Sequence, residues 1–160
     1  MVKVKDNFID KQEHKLILDT MCGSDFPWYY NNYKVKPGDN NFQMTHTLYR
    51  DHVITSPFFQ LVKPILDKLK TKALVRVKCN LTFATPKKII YGMHTDVDAK
   101  CKTAIYYVNS NNGVTLFKKQ QSVASLANRI SIFSSDEIHT GISHTDEQIR
   151  MVINLNYYDN

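Results

Sequence analysis

Two residues near the middle of the chain have the types and the spacing of a metal-binding pair. His94 and Asp96 are separated by one residue, and they end a segment, residues 89–96, that reads as a strand. Side chains at positions i and i+2 of a strand point to the same side. An imidazole and a carboxylate placed in this way can bind one metal ion together, so the pair predicts part of a metal site.

The remaining ligand must come from a distant part of the chain. Two histidines lie downstream, and we favour His139 over His144 because it closes the strand-then-loop segment of residues 129–138. We expect His144 to be a solvated loop residue. Together with Asp146 it repeats the spacing of the first pair, but no histidine follows it. Two histidines and one carboxylate occupy one face of octahedral Fe(II) and leave three positions open.

The last predicted strand, residues 149–158, adds a cation. Arg150, Val152, Asn154 and Asn156 share one face of this strand, and the opposite face is apolar. Such a barrel strand either exposes its polar face to solvent or lines a polar cavity. Lysine carries most of the positive charge of the chain, with 17 lysines and four arginines, so an arginine at this position favours the cavity. A planar guanidinium suits a carboxylate ligand.

The first half of the chain reads as helical. Residues 10–22 begin with a capping-box pattern, which predicts a helix there. A Ser-Pro start and apolar residues at helical spacing predict a second amphipathic helix over residues 57–70, with a kink or a break at Pro64. Residues 24–52 read as irregular between these two helices.

The second half reads as strands. From Ala73 the apolar and polar residues alternate, which predicts a half-buried strand over residues 73–83. Further strands are predicted at residues 89–96, 103–109, 114–117, 129–134 and 149–158. Two helices followed by about six strands predict an antiparallel sandwich or a small barrel, with the helices against one face.

The composition agrees with one soluble globular domain. The chain has 160 residues and a net charge of +6, and 42% of its residues are hydrophobic. No apolar run approaches the ~20 residues that a membrane-spanning helix needs, and no signal-peptide pattern opens the sequence, so we expect a cytoplasmic protein without a membrane partner. Three widely separated cysteines support neither a disulfide framework nor a zinc site. The lysines are dispersed, which favours a solvated surface over a nucleic-acid footprint, although an acidic partner stays open.

Four ordered residues together resemble the signature of a known enzyme family. His94, Asp96, His139 and Arg150 follow the pattern of Fe(II)/2-oxoglutarate-dependent oxygenases, and the prolyl-4-hydroxylase-like branch is the most similar. Supporting segments are residues 103–109, 113–117 and 128–133. The short versions carried by large DNA phages also resemble residues 26–30 and 76–81. The resemblance covers nearly the whole chain, and it is most specific over residues 74–158.

The resemblance implies a fold and a division of the chain. We expect a mainly β protein with N-terminal helices, in which a double-stranded β-helix, a jelly-roll or cupin-like barrel, is backed by two helices. Residues 1–160 would form a single oxygenase domain. Within it, residues 1–72 would supply helical support and an aromatic loop, and residues 73–158 the barrel core.

The same resemblance implies roles for individual residues. His94, Asp96 and His139 would bind Fe(II), and Arg150 would bind the distal carboxylate of 2-oxoglutarate, so that these four carry catalysis. Further implied or plausible contacts of the cosubstrate are Tyr107, Asn154, Asn80 and Thr82. The reaction would hydroxylate a C–H bond with O₂ and release succinate and CO₂, with ascorbate as a possible accessory reductant.

The sequence favours one substrate class but leaves alternatives open. Asp96 argues against halogenation, because halogenating relatives have a small residue there. Nucleic-acid demethylases resemble the last strand but have a second arginine where this chain has Asn156, which disfavours nucleic acid. A protein or peptide is favoured, and a small-molecule substrate or a catalytically inactive binding module are alternatives. The Trp28-Tyr29-Tyr30 stretch and residues 31–42 would form a lid or a peptide groove, or else pack under the barrel.

Overall fold

The computed structural model describes residues 1–39, 41–119 and 121–159. Two α-helices occur in these residues, α1 (Lys11–Cys22) and α2 (Lys63–Leu69), and a 3-10 helix (Pro57–Val62) leads directly into α2. The strands of the described residues are β1 (Lys3–Lys5), β2 (Tyr29–Asn31), β3 (Gln43–Arg50), β4 (Val53–Ile54), β5 (Ala73–Phe83), β6 (Lys102–Tyr107), β7 (Val114–Phe117), β8 (Ser122–Ala124), β9 (Arg129–Ser134), β10 (His139–Ile142) and β11 (Ile149–Tyr158).

The strands form two antiparallel sheets. The larger sheet has the order β1-β9-β6-β11-β5-β3-β2, and β4 pairs with β3. The smaller sheet has the order β10-β7-β8. Strands β5 and β11 lie side by side over ten residue pairs near the centre of the larger sheet. Strand pairs that are far apart in sequence therefore build the middle of the molecule.

Two apolar clusters cover the two faces of the larger sheet. On one face, residues of α1 and α2 such as Ile17 and Ile65 pack with Ile153 and Leu155 of β11. On the other face, side chains of the larger sheet pack with Phe117 of the smaller sheet. Alternate residues of each central strand thus point to the helices and to the space between the sheets.

The first helix forms as its capping pattern predicts. The side chain of Asp10 accepts a hydrogen bond from the backbone N–H of Gln12 at 2.8 Å, and the carboxylate of Glu13 accepts from the backbone N–H of Asp10 at 3.3 Å. These bonds satisfy donors that a helix start leaves free. Ile17 and Met21 are buried on the face toward the sheet, so the cap fixes where that face begins.

The second helical segment is broken where Pro64 was expected to disturb it. The hydroxyl of Ser56 accepts from the backbone N–H of Phe58 at 3.1 Å and starts the 3-10 helix. Proline has no N–H, so a continuous α-helix would lose a bond at Pro64 and meet a clash with the preceding turn. The chain instead begins a new helix at Lys63. Neither α-helix of the described residues is long and apolar enough to cross a membrane.

The expectation that residues 24–52 are irregular is wrong for β3. Residues Gln43–Arg50 form an eight-residue strand that pairs with β5, and β2 pairs with β3 in turn. The region before Lys72 therefore adds strands as well as helices to the larger sheet. Strand β3 was not predicted because several of its residues are polar. Gln43 and His46 are buried through tertiary pairing, and no apolar alternation marks them in the sequence.

The prediction of a regular strand at residues 89–96 is also wrong. This segment makes only two isolated bridges with β10, between Ile90 and Ile142 and between His94 and His139. It advances four residues while its partner advances three, so one extra residue bulges out between the bridges. The bulge reorients the end of the segment, which carries His94.

Asn128 ties the chain before α1 to the larger sheet. Its side chain accepts from the backbone N–H of Ile9 at 3.0 Å and donates to the carbonyl of the same residue at 2.9 Å. The hydroxyl of Tyr106 on β6 donates to the same amide oxygen at 3.0 Å. Asn128 has a positive φ of 60°, a conformation that asparagine tolerates better than most residues.

We expect Asn128→Ala to lower the free energy of unfolding by about 2–4 kcal/mol, because three hydrogen bonds are lost and buried groups stay without partners. Urea unfolding followed by circular dichroism measures the change. Asn32→Ala, at an exposed position, is the matched control and should change stability by less than about 0.5 kcal/mol. Equal effects of the two substitutions would contradict the assigned role of Asn128.

Candidate metal and anion site

His94 and His139 are held side by side by their own backbone. The N–H of each residue donates to the carbonyl of the other, at 2.9 Å and 3.0 Å. Residues that exchange both bonds lie directly opposite each other in an antiparallel pair, and their side chains point to the same side. The two imidazole ring centroids are 4.9 Å apart. Residues 45 positions apart in sequence thus present their rings to one point.

The Nδ1 atoms of both histidines fix which tautomer the neutral ring adopts. Nδ1 of His94 lies 3.0 Å from the carbonyl oxygen of Gly92, and Nδ1 of His139 lies 3.0 Å from that of Glu137. A carbonyl oxygen can only accept, so Nδ1 carries the hydrogen in both rings. The Nε2 atom of a neutral ring then keeps its lone pair. Histidines that bind metal ions are oriented by the same kind of bond.

Asp96 completes a set of three ligand atoms. Its Oδ1 atom accepts from Nη2 of Arg76 at 3.1 Å and from Nδ2 of Asn154 at 3.3 Å. Its Oδ2 atom is buried and accepts no hydrogen bond. That atom lies 3.5 Å from Nε2 of His139, and one ligand atom from each of His94, Asp96 and His139 lies within 4.8 Å of the others.

This arrangement fits a cation. A lone pair on Nε2 of His139 and an unpartnered carboxylate oxygen repel each other unless a proton or a metal ion lies between them. Burial opposes the charge of His139, but the nearby carboxylate of Asp96 outweighs burial and raises the pKa of the imidazole. Burial likewise opposes the charge of Asp96, but His139 and Arg76 lower its pKa. Two nitrogens and one carboxylate oxygen are a donor set suited to Fe(II).

Arg76 is a site residue that the sequence analysis missed. Its Nε atom donates to Oδ1 of Asn156 at 3.2 Å, while its Nη2 atom holds Asp96. The amide of Asn156 donates in turn to Thr103 at 3.0 Å, and the latter two residues are fully buried. Arginine is rare in this chain, and this rarity was the reason for singling out Arg150. The same sequence signal could have identified Arg76.

Arg150 is buried without an acidic partner. Its Nε atom donates to the hydroxyl of Ser125 at 2.8 Å, and its Nη2 atom lies 3.5 Å from the hydroxyl of Thr115. No carboxylate of the described residues lies within 4.0 Å of its guanidinium. Neutral hydroxyls therefore fix the orientation of the guanidinium and leave its charge uncompensated, as an anion site requires.

A single cavity of about 100 Å³ joins the three ligand residues to Arg150. The register of β5 and β11 explains this, because Arg150 stands opposite Thr82 and Val152 opposite Asn80. Predicted cosubstrate contacts that line the cavity are Asn80, Thr82 and Asn154. Arg150 and Asn154, which share one face of the last strand, both line this cavity.

Tyr107 does not line the cavity, although its ring centroid is 5.9 Å from Cζ of Arg150. Its buried hydroxyl donates to the hydroxyl of Thr115 at 2.8 Å. Tyr107 therefore reaches the cavity through Thr115, and a direct contact with a bound carboxylate stays a prediction.

His144 is not the solvated loop residue that we expected. It is fully buried, and neither ring nitrogen has a hydrogen-bond partner in the described part of the chain. It lies outside the cavity that contains the three ligand residues. The structure therefore brings His139, and not His144, to His94 and Asp96.

Two lysines also line the cavity. Lys78 of β5 stands opposite Asn154, and burial, assisted by the charge of Arg76, lowers its pKa to about 8. Lys34 comes from the segment between β2 and β3, and burial, assisted by the charge of Arg150, lowers its pKa to about 6. The cavity is therefore rich in basic groups, with Asp96 as the one carboxylate among its described lining residues.

The aromatic residues 26–30 and the segment that follows them lie in different parts of the structure. Phe26 packs with Trp28 and Phe58 on the helical side of the sheet, whereas Tyr29 and Tyr30 are exposed. Beyond them, Lys34 and Val35 line the cavity. Part of the stretch thus packs under the barrel, and the following segment covers the cavity. Asn40, in the predicted lid, lies outside the described residues.

Comparison with solved structures identifies the fold. An oxidoreductase of the 2OG-Fe(II) oxygenase family from Burkholderia pseudomallei has a TM-score of 0.70 and 13% identity, over 98% of this chain and 84% of that one. A prolyl hydroxylase from Trichoplax adhaerens, in complex with a peptide fragment of the hypoxia inducible factor oxygen degradation domain, has a TM-score of 0.65 and 14% identity, over 99% and 83%.

A viral collagen prolyl hydroxylase from Paramecium bursaria Chlorella virus-1, in complex with 2-oxoglutarate, has a TM-score of 0.65 and 12% identity, over 97% of this chain and 94% of that one. No protein-family model and no curated protein matches the sequence. The predicted fold class is confirmed: the chain has the double-stranded β-helix fold of these oxygenases, with two helices against the larger sheet.

The contacts of Arg76 predict a specific effect on metal binding. We expect Arg76→Met to lower the affinity for Mn(II) about 10- to 100-fold, because Asp96 loses the charged partner that orients its carboxylate. Isothermal titration calorimetry measures this affinity without turnover. Arg50→Met, at an exposed arginine, is the matched control, and Arg76→Lys should restore part of the affinity. Unchanged Mn(II) affinity in folded Arg76→Met would show that this bond does not position a ligand.

Proposed function

We propose that this protein is an Fe(II)- and 2-oxoglutarate-dependent dioxygenase that hydroxylates a C–H bond of its substrate. The observation that carries the proposal is the single cavity that contains His94, Asp96 and His139 together with the unpaired Arg150. A metal site alone, or a buried arginine alone, would fit many proteins. Their combination on this fold supports a metal ion and a dicarboxylate cosubstrate bound in one place.

In this proposal His94, Asp96 and His139 hold Fe(II). Bound Fe(II) would allow O₂ to oxidise 2-oxoglutarate to succinate and CO₂ and to hydroxylate a C–H bond of the substrate. The protein contributes a fixed ligand geometry, in which the backbone pair aligns the two imidazoles and Arg76 leaves one oxygen of Asp96 free. Because Asp96 supplies a carboxylate ligand, hydroxylation is favoured over halogenation.

Arg150 binds the distal carboxylate of 2-oxoglutarate. Ser125 and Thr115 fix its guanidinium, so little conformational entropy is lost when the carboxylate binds. Asn80 and Thr82, two residues apart on one face of β5, supply polar groups along the cavity, and the amide oxygen of Asn80 has no partner among the described residues. Apolar Val152 and Ile105 also line the cavity.

The favoured substrate is a peptide or protein, in a prolyl-4-hydroxylase-like reaction. Exposed aromatic rings support this choice: Tyr30 stacks on Phe42 at 5.9 Å between centroids, and Phe42 lies 5.9 Å from Phe83. Phe83 follows Thr82, which lines the cavity, but its side chain points to the opposite face of β5, so the row of rings lies outside the cavity, near the end of this strand. Exposed apolar surface of this kind commonly binds peptides. The Trichoplax neighbour is described with a bound peptide.

Turnover tests the proposal. With Fe(II), 2-oxoglutarate, O₂ and ascorbate, a library of proline-containing peptides should stimulate succinate formation, and the oxidised peptides should gain the mass of one oxygen atom. His139→Ala should lower succinate formation at least about 100-fold, because the metal loses a ligand. Arg150→Gln should raise the KM for 2-oxoglutarate about 10- to 100-fold, because a charged hydrogen-bonding partner is removed.

His52→Ala, at an exposed histidine, is the matched control and should retain turnover. Stimulation by small acids or oligonucleotides in place of peptides would retain the oxygenase chemistry and replace the substrate class. Folded protein that binds neither Fe(II) nor 2-oxoglutarate would contradict the enzyme and leave a binding module.

A further inference from the structure

Lys34 enters the cavity from the segment of residues 32–39. Its Nζ atom lies 3.3 Å from the centroid of the Tyr91 ring, and both residues line the same cavity as Arg150. When the Lys34 amine is protonated, the ring quadrupole of Tyr91 attracts it. No carboxylate of the described residues lies within 4.0 Å of this Nζ atom.

The segment is built to keep Lys34 in this position. The carboxylate of Asp39 accepts backbone hydrogen bonds from Lys34 at 3.1 Å, from Val35 at 2.8 Å and from Asn41 at 2.9 Å. One side chain thereby closes the segment into a compact loop. The loop therefore fixes the backbone of Lys34 next to the cavity, and the contact with the Tyr91 ring places its Nζ atom.

Gln43 and Val35 attach this loop to the barrel. The amide of Gln43, a buried residue of β3, donates to the carbonyl of Lys34 at 3.3 Å. The side chain of Val35 packs on Gly92, in the segment that carries His94. The loop thus rests on the segment that carries one ligand residue and covers the cavity beside Arg150.

The charges around Lys34 lack an anion. Arg150 is buried and bonds only to neutral hydroxyls, and its charge acts against that of Lys34. Buried charges are ordinarily paired, because an unpaired one loses its hydration without compensation. A carboxylate bound between the two side chains would pair the charge of Arg150 and would favour the protonated form of Lys34. Tyr91 offers only its ring face, and Asp39 is occupied by backbone donors.

We propose that Lys34 is a second carboxylate-binding residue, which binds the distal carboxylate of 2-oxoglutarate together with Arg150 and makes the loop of residues 32–39 a latch on the cosubstrate. This inference rests on the proposed function, because it takes 2-oxoglutarate as the ligand of the cavity. It assigns to this loop a role in affinity for the cosubstrate rather than only in covering the site.

Binding through Lys34 has a proton signature. The groups that face Lys34 are Tyr91, Arg150, Asp39 and His144. With a pKa of about 6 in the free protein, Lys34 is mainly uncharged at pH 7.5. A carboxylate beside it raises that pKa, so the amine takes up a proton when 2-oxoglutarate binds. The affinity therefore rises as the pH falls from 8 toward 6.

The experiment uses Mn(II)-loaded protein without O₂, so that no turnover occurs. Calorimetric titration with 2-oxoglutarate in buffers of different ionisation enthalpy gives both the dissociation constant and the number of protons taken up. We expect Lys34→Gln to weaken binding about tenfold and to remove most of the proton uptake. Lys34→Arg should retain most of the affinity, because its cation is permanent, but without the proton uptake.

Lys36→Gln, at an exposed lysine of the same loop, is the matched control and should leave both quantities unchanged. Equal affinity and equal proton uptake in Lys34→Gln and wild type overturn the inference, while binding that still depends on Arg150 leaves the proposed function intact. Failure of the Mn(II)-loaded wild type to bind 2-oxoglutarate overturns both.

Discussion

The buried carboxylate of Asp96 is the constraint on which the rest of the site depends. An uncompensated carboxylate costs several kcal/mol in a protein interior, so the surroundings must supply positive charge and donors. Arg76 and Asn154 bind one oxygen, and the other oxygen faces the lone pair of His139. A cation between these two groups turns a repulsion into an attraction. The site is therefore stable with a proton on His139, and a metal ion can replace that proton.

The central strand pair explains why these groups meet. Strands β5 and β11 run antiparallel, so Arg76 stands opposite Asn156, and Thr82 stands opposite Arg150. One face of this pair packs against the helices and the other carries the polar groups of the cavity. Asp96 is thus held at one end of the pair, and the guanidinium of Arg150, which has no acidic partner among the described residues, is fixed at the other. The smaller sheet contributes His139 and Thr115, which close the cavity from the opposite side.

Local sequence signals predicted the parts of the fold that depend on local interactions. The capping residues at the start of α1 and the alternation in β5 required no tertiary information, and both elements formed where expected. Strand β3 was missed because its residues are polar and become buried only through pairing with β5. The bulge before His94 was missed because it depends on how this segment pairs with β10. The sequence of residues 89–96 alone does not determine that pairing.

The ligand set and Arg150 were accessible because few residue types serve their chemistry. Lys34 was not accessible, because it owes its position to the loop that Asp39 closes. For Arg76 the rarity of arginine was the one signal, and its role depends on a tertiary contact with Asp96. The most direct test of the central claim is an anaerobic titration of metal-free protein with Fe(II) and then 2-oxoglutarate, followed by visible absorption. We expect a weak charge-transfer band that saturates with one 2-oxoglutarate per protein. Iron that binds without any band on addition of 2-oxoglutarate, or no binding of iron at all, would contradict it.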